Sequence, residues 1–148
     1  MATCKYNKNP LGQVVMSAKD EYCEVCGRQA QECHHMISKE RCKPLENCIQ
    51  NHVYLCSEHH RGTFGVHGKY GHVLDQRYKL QFQNYLERSL LKEYLTREEI
   101  KEVLGITDRP LNRLLKSITM YKGKYVRGDV ILKCMGGKLA EEVSKEVG

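Results

Sequence analysis

The stretch from Cys23 to His67 constrains this chain more than any other, because it sets cysteines and histidines at metal-ligand spacings. It reads CEVCGRQAQECHHMISKERCKPLENCIQNHVYLCSEHHRGTFGVH. Cys23-Glu24-Val25-Cys26 is a C-x2-C knuckle followed by Gly27, and Cys56-Ser57-Glu58-His59 is a C-x2-H knuckle with His60 directly behind it. The pair His34-His35 and Asn51 lie between them. Two thiolates separated by two residues can grip one tetrahedral ion, because the tight turn brings both sulfurs to one point. Alone, C-x2-C is also compatible with a redox pair. The second knuckle decides between the two: Cys23, Cys26, Cys56 and His59 form a closed set of three cysteines and one histidine, which predicts a structural zinc ion.

At 148 residues the chain is about one ordinary domain or two small ones. A hydrophobic fraction of 41% allows a globular core, although small domains are short of buried area and gain from a metal. The net charge of +6 and a pI near 8.9 suit a polyanionic partner. The 8 cysteines would read as a disulfide scaffold behind a secretory leader. Residues 1–22 hold no apolar run of leader length, since Lys5, Lys8, Lys19 and Asp20 interrupt them. No stretch approaches the roughly 20 apolar residues of a membrane span. These features predict a cytoplasmic, reduced protein whose knuckle-spaced cysteines bind metal, with no membrane partner.

Residues 1–22 read as a lead-in, with a turn at Asn9-Pro10-Leu11-Gly12, room for a helix over Val14–Lys19, and Cys4 as a bystander. His35-Met36-Ile37 is predicted as a strand, and Asn51 to Cys56 as a second one with β-branched and aromatic content. Ser38 to Gln50 is a polar connection in which Cys42 and Cys48 are free thiols. His52 is expected on exposed strand surface. Ser57–Arg61 starts a helix, with Glu58 in its first turn, where negative charge is favoured. Gly62, Gly65, Gly68 and Gly71 predict a flexible ribbon around His67. The local plan is strand, loop, strand, helix, pinned by zinc.

The pattern C-x2-C, His-His, Asn, Leu-Cys-x2-His-His and a later histidine resembles the HNH endonucleases, the ββα-metal nucleases of bacteria and phages. The resemblance covers about Cys23 to His72, and LCSEHHRGTFGVHGKYG is similar to small phage-encoded members. It implies a metal-dependent enzyme in a bacterial or phage-infected cell. It implies that His34, His60 and His67 hold a catalytic divalent ion (Mg2+, Mn2+, Ni2+ or Zn2+), that His35 is the general base and that Asn51 positions it. His72 is the substitute for His67, and Asn47 the competitor of Asn51. His59 stands where many members have cysteine.

The chemistry follows from the residue types. Phosphodiester hydrolysis needs an activated water and stabilisation of the charge that builds on phosphorus and on the leaving oxygen. One divalent cation held by imidazoles supplies the stabilisation. A neutral histidine takes the water's proton at cellular pH, and an amide side chain can hold its other ring nitrogen. Neighbours on an extended chain point apart, so His34 and His35 are expected to play different parts.

Val73 to Tyr94 reads as a helix, with Leu74, Tyr78, Phe82, Tyr85 and Leu86 at three- and four-residue steps. Near Leu95 the pattern changes. Thr96-Arg97-Glu98-Glu99 is a capping box for a short helix stopped at Gly105. Thr107 is placed to cap a second helix, with Pro110 in its first turn. A hairpin is predicted around Lys122-Gly123, then a helix capped by Asp129 and ending at Gly136-Gly137, with Cys134 as an apolar filler. The order helix, turn, helix, basic hairpin resembles the small winged-helix modules of excisionase or MerR type. That resemblance implies major-groove contacts from Asn112 and Arg113, and phosphate contacts from Arg109, Lys116, Lys122, Lys124 and Arg127.

The expectation is an α+β chain: lead-in 1–22, a zinc-stabilised ββα-metal nuclease core over 23–94, and a mainly helical helix-turn-helix module with a hairpin wing over 95–148. Its expected function is hydrolysis of DNA phosphodiester bonds, with double-stranded DNA as the expected partner. The competing expectation is a non-enzymatic, zinc-stabilised DNA-binding regulator, and RNA is a further substrate that the residues allow. A homodimer is expected if both strands are cut at a symmetric site.

Overall fold

The computed structural model describes residues 21–140. The lead-in with Cys4 and the tail beyond Ala140 lie outside them. Among the described residues the chain is mixed α and β, with two small antiparallel sheets and five helices.

The first sheet is a two-stranded ribbon of β1 (Glu32–His35) and β2 (His52–Leu55), in which Glu32 pairs with Leu55, His34 with Val53 and His35 with His52. β1 therefore ends at His35, where a strand was expected to begin. Met36 donates one more backbone bond to Asn51, after which the chain turns away into the long connection. That connection carries two 3-10 turns, Lys43–Leu45 and Ile49–Asn51, with Leu45 and Cys48 buried beneath it. Helix α1 (Ser57–Arg61) follows β2, and α2 (His72–Ser89) crosses behind, burying Tyr78, Phe82 and Leu86.

α2 stops five residues before the expected Tyr94. The reason is a pairing that local periodicity cannot register. Tyr94 and Leu95 form β3, which pairs with β5 (Lys124–Val126); β5 also pairs with β4 (Met120–Tyr121). Arg127 seals the junction, its guanidinium donating to the carbonyls of Leu90 and Glu87 (2.8 Å for the latter) at the C-terminus of α2. Basic groups are favoured there, where carbonyls lack helical partners.

α3 (Arg97–Leu104) starts at the expected capping box: Thr96 Oγ1 accepts from the Glu99 N–H at 3.2 Å, and the Glu99 carboxylate accepts from the Thr96 N–H at 3.0 Å. α4 (Asp108–Leu115) buries Leu111, Leu114 and Leu115; Thr107 is its N-cap residue but makes no side-chain cap bond. The turn between β4 and β5 is Lys122-Gly123, both at positive φ. α5 (Arg127–Cys134) begins two residues before Asp129, which lies in its first turn and does not cap it. The C-terminal half thus has the order helix, helix, hairpin, helix.

The buried side chains form one cluster running from Cys23 to Met135, and it crosses the expected division between residues 94 and 95. That division falls inside β3. Arg41 donates to the Met135 carbonyl at 2.9 Å, and Gln83 accepts from the Ala140 N–H at 2.8 Å, so the connection and α2 both bond to the segment after α5. Cys42, Cys48 and Cys134 are free, buried thiols; burial pushes Cys42 up to about 11 and Cys48 up to about 12, so they pack as small apolar groups. Cys33 differs from the reduced state expected of the cysteines, being disulfide-bonded. No helix among the described residues is long and apolar enough to cross a membrane.

Candidate metal centres

The first centre is built by two turns. Cys23 and Cys26 sit on a knuckle closed by hydrogen bonds from Cys23 N–H to Arg28 O and from Gly27 N–H to Cys23 O. Gly27 has φ +77°, a conformation that costs a residue without Cβ least. Cys56 and His59 meet it from the start of α1. Cys26 Sγ lies 3.8 Å from Cys56 Sγ, and His59 Nδ1 lies 3.2 Å from Cys56 Sγ and 3.6 Å from Cys23 Sγ. Two bonds of about 2.3 Å at the tetrahedral angle put two sulfurs about 3.8 Å apart, so the spacing fits a zinc ion. All four donor atoms lie within 4.8 Å of one another, and the group could hold such an ion.

The sequence reading missed Arg28. Its Nε donates to Cys26 Sγ at 3.3 Å, one terminal nitrogen lies 3.9 Å from Cys56 Sγ, and the same end pairs with Glu58. The hydrogen bond from Arg28 is the main cause holding the Cys26 thiol down at about 6. This favours the thiolate, the form that binds metal.

The second centre brings together His34, His60 and His67, whose donor atoms also lie within 4.8 Å of one another. The ring centroids form a near-equilateral triangle of 5.1, 5.1 and 4.7 Å. His34 Nδ1 is 3.2 Å from His60 Nε2. Two metal–nitrogen bonds of about 2.1 Å at the tetrahedral angle need about 3.4 Å, so this pair converges as ligands would. His34 and His60 are buried, at 5% and 4% exposure, and His67 is exposed. Burial, then the charges of His60 and His67, hold His34 down at about 3, so the ring is neutral at pH 7 and one of its nitrogens offers a lone pair.

Glu32 is a second residue that sequence spacing did not single out. Its Oε2 lies 2.9 Å from His60 Nδ1, and Arg61 Nε pairs with it at 3.1 Å. Burial pushes this carboxyl up, but His60 and Arg61 outweigh that and leave it below the ordinary carboxylate value. A carboxylate behind a ligating imidazole fixes the ring and its tautomer.

The glycine-rich ribbon that carries His67 is a hydrogen-bonded spiral, which corrects the expectation of flexibility. Gly65, Gly68 and Gly71 each donate to the carbonyl of the glycine three residues before, and His67 N–H donates to His60 O at 2.9 Å. A Cβ at Gly68 would meet Gly62 O at 1.9 Å, and one at Gly71 would meet Gly65 O at 1.6 Å. The glycines recur because the turns touch backbone to backbone, and this brings His67 back over His60.

His35 lines the same groove as His34, His60, His67, Lys39 and Arg61. Its Nε2–H donates to the Glu46 carbonyl at 2.9 Å, which leaves Nδ1 as the acceptor. Burial lowers its pKa, and the ring is neutral at pH 7. The Asn51 amide, expected on that ring, is spent on the backbone. Its Oδ1 accepts from Ile37 N–H at 2.7 Å, and its Nδ2 donates to Ile37 O at 3.0 Å and Leu45 O at 3.4 Å. Asn51 therefore ties the chain two residues beyond His35 to the connection. His52 is half-buried, donates to the same Glu46 carbonyl at 2.7 Å and meets the His35 ring edge-on at 4.8 Å, where exposed surface was expected.

On α4, Arg109, Asn112, Arg113 and Lys116 are exposed, and their three- and four-residue spacing puts them on one face. Lys122 and Lys124 are exposed on the hairpin. Arg127 is not part of that surface, because its guanidinium is committed to the end of α2.

No family model, curated protein or solved structure matches the chain. The chemistry of the centres therefore rests on their own geometry: one closed sulfur-rich set, and one imidazole set beside a groove that holds a neutral histidine with Lys39, Arg61, Glu32 and Glu40.

Proposed function

We propose that this protein is a metal-dependent endonuclease of the HNH type that hydrolyses DNA phosphodiester bonds. The single observation that carries the reading is the meeting, in one groove, of a triple-imidazole cluster and a neutral His35 whose remaining lone pair is free. A regulator that only bound DNA would gain nothing from an acceptor imidazole held beside a metal-competent cluster.

His34, His60 and His67 would hold a divalent ion, which supplies Lewis-acid stabilisation to the phosphate and the leaving oxygen. The chain's own residues supply the rest. Lys39 lines the groove and attracts the phosphodiester, while Arg61 is paired with Glu32 and steadies that carboxylate. His35 Nδ1 accepts the proton of the attacking water, while its Nε2–H stays on the Glu46 carbonyl and fixes the tautomer. Glu32 holds the His60 ring, and Asn51 keeps the connection that carries Glu46 in register with β1. The sulfur-rich set, with no open position, would hold a structural zinc ion.

The exposed face of α4 and the hairpin lysines form a basic surface that suits the DNA backbone, in the manner of a helix-turn-helix with a wing. The shared core argues for testing this surface by substitution rather than by removing residues 95–148. The proposal is tested by incubating supercoiled plasmid with the full-length, zinc-loaded protein, with and without added magnesium, manganese or nickel. Cutting that depends on the added ion supports it; DNA binding without cutting under every ion supports the regulator.

A further inference from the structure

Phe64 and Tyr70 stand three residues on either side of His67. They are stacked on each other, with ring centroids 5.5 Å apart and planes 28° from parallel, and they remain 69% and 58% exposed. Lys69 Nζ lies 5.2 Å from the centre of the Tyr70 ring. The spiral that presents them packs its glycines backbone to backbone, so the two rings are held out from a rigid loop. Two large rings exposed together, on the loop that carries a histidine of the imidazole cluster, suit contact with a partner.

The surroundings decide what kind of partner fits. From Arg61 to Gly71 the chain has no acidic residue, and it carries Arg61 and Lys69. Aromatic faces beside Lys69, on the loop that carries His67, match a polyanion that also offers flat π-surfaces. Bases of a duplex are stacked on each other and cannot offer those surfaces to a ring. Unpaired bases can, and their stacking on aromatic side chains tolerates any sequence. The same construction recurs on the C-terminal sheet. Tyr94 and Tyr121 stack at 5.3 Å, Lys122 lies 5.4 Å from the Tyr121 ring centre, and neither the three strands nor their turn holds an acidic residue.

We infer that the Phe64–Tyr70 stack with Lys69 is a platform for an unpaired base, so that the substrate is DNA with single-stranded nucleotides next to the cleaved phosphate. The inference rests on the nuclease reading for the word substrate, but the binding event does not require cleavage.

The test is fluorescence anisotropy of full-length protein with a labelled 20-nucleotide oligo-dT and with a 20-base-pair duplex, no divalent ion being added. The wild-type protein binds the single strand more tightly. Phe64→Ala/Tyr70→Ala weakens single-strand binding by roughly 5- to 100-fold and leaves duplex binding within about twofold. Tyr70→Phe, which keeps the ring, retains the affinity. Equal binding of both DNAs by the wild type, or no loss in the double alanine variant, overturns the inference. So does a variant whose oligomeric state changes in sedimentation velocity while its DNA affinity does not, because the patch is then a contact between copies. Zinc content and melting temperature verify that the variant is folded. Plasmid cutting that survives alongside an unchanged single-strand affinity sinks this inference alone. Stacking without any metal-dependent cutting sinks the nuclease reading alone.

Discussion

His35 and His52, paired across the ribbon, donate their Nε2 hydrogens to one acceptor, the carbonyl oxygen of Glu46, at 2.9 and 2.7 Å. A carbonyl with two lone pairs can accept both. Both rings are thereby fixed in the same tautomer, with Nδ1 unprotonated, and burial holds His52 down at about 4. The carbonyl belongs to the connection between β1 and β2, so the acceptor imidazole of the groove depends on how that connection is held.

Asn51 is the residue that holds it. Its side chain is fully buried and bonds three backbone groups of Ile37 and Leu45. Asn51→Ala is expected to cost roughly 2–4 kcal/mol in urea unfolding, because those groups lose buried partners. Zinc content should remain unchanged. A loss below about 0.5 kcal/mol would show that the connection is held by other contacts.

The sulfur-rich set joins the N-terminal knuckle to α1. Cys26→Ser should release one equivalent of zinc and lower the melting temperature by on the order of 10 °C, since binding energy at such a site is folding energy. Zinc analysis and calorimetry check this. An unchanged melting curve with full zinc content would contradict a structural role.

Gly68 is packed so closely that a methyl group would collide with Gly62 O. Gly68→Ala should displace His67 and weaken nickel or cobalt binding at the imidazole cluster, on the order of 10- to 100-fold, as when a ligand's support is removed. The zinc of the sulfur-rich set should stay bound. Gly128→Ala is the control, since a Cβ there meets nothing within 4 Å. Equal metal affinity in Gly68→Ala would mean that His67 is not placed by the spiral.

The capping box gives a pH dependence with a definite sign. The hydrogen bond from the Thr96 backbone, then Lys92 and the Thr96 hydroxyl, hold Glu99 down at about 2, from an ordinary value near 4.5. The folded value is the lower one, so its contribution is complete above about 4.5 and is lost as pH falls toward 2. Glu99→Gln keeps the cap but removes the charge. In urea unfolding the wild type should exceed this variant at pH 6, and the gap should close between pH 4.5 and 2.5. Comparing the two chains cancels the acid loss of metal. A gap that does not move with pH would contradict the assignment.

The HNH resemblance, not spacing, pointed to the histidines of the second cluster. The features that spacing alone made legible were local ones: the two knuckles, the Thr96–Glu99 box and the Lys122-Gly123 turn. Each depends on residues a few positions apart. What the sequence hid depends on partners far along the chain. β3 has two residues and exists because β5, about thirty residues later, pairs with it, so Tyr94 read as helix. Arg127 read as a phosphate contact because its acceptors, Glu87 and Leu90, are remote. Glu32, Arg28 and His52 matter through what faces them, and no motif spacing marks such residues. The glycine repeat was visible, but its meaning reversed. A three-residue glycine period looks flexible until backbone contacts show that each turn packs on another.

The most direct measurement is plasmid cleavage by full-length, zinc-loaded protein and its His35→Ala variant, with an added divalent ion, and with DNA affinity and melting temperature recorded for both. If His35 is the proton acceptor, the variant retains fold and affinity and loses about 100- to 10,000-fold in cleavage rate. A variant that cuts at the wild-type rate would contradict the account at its centre.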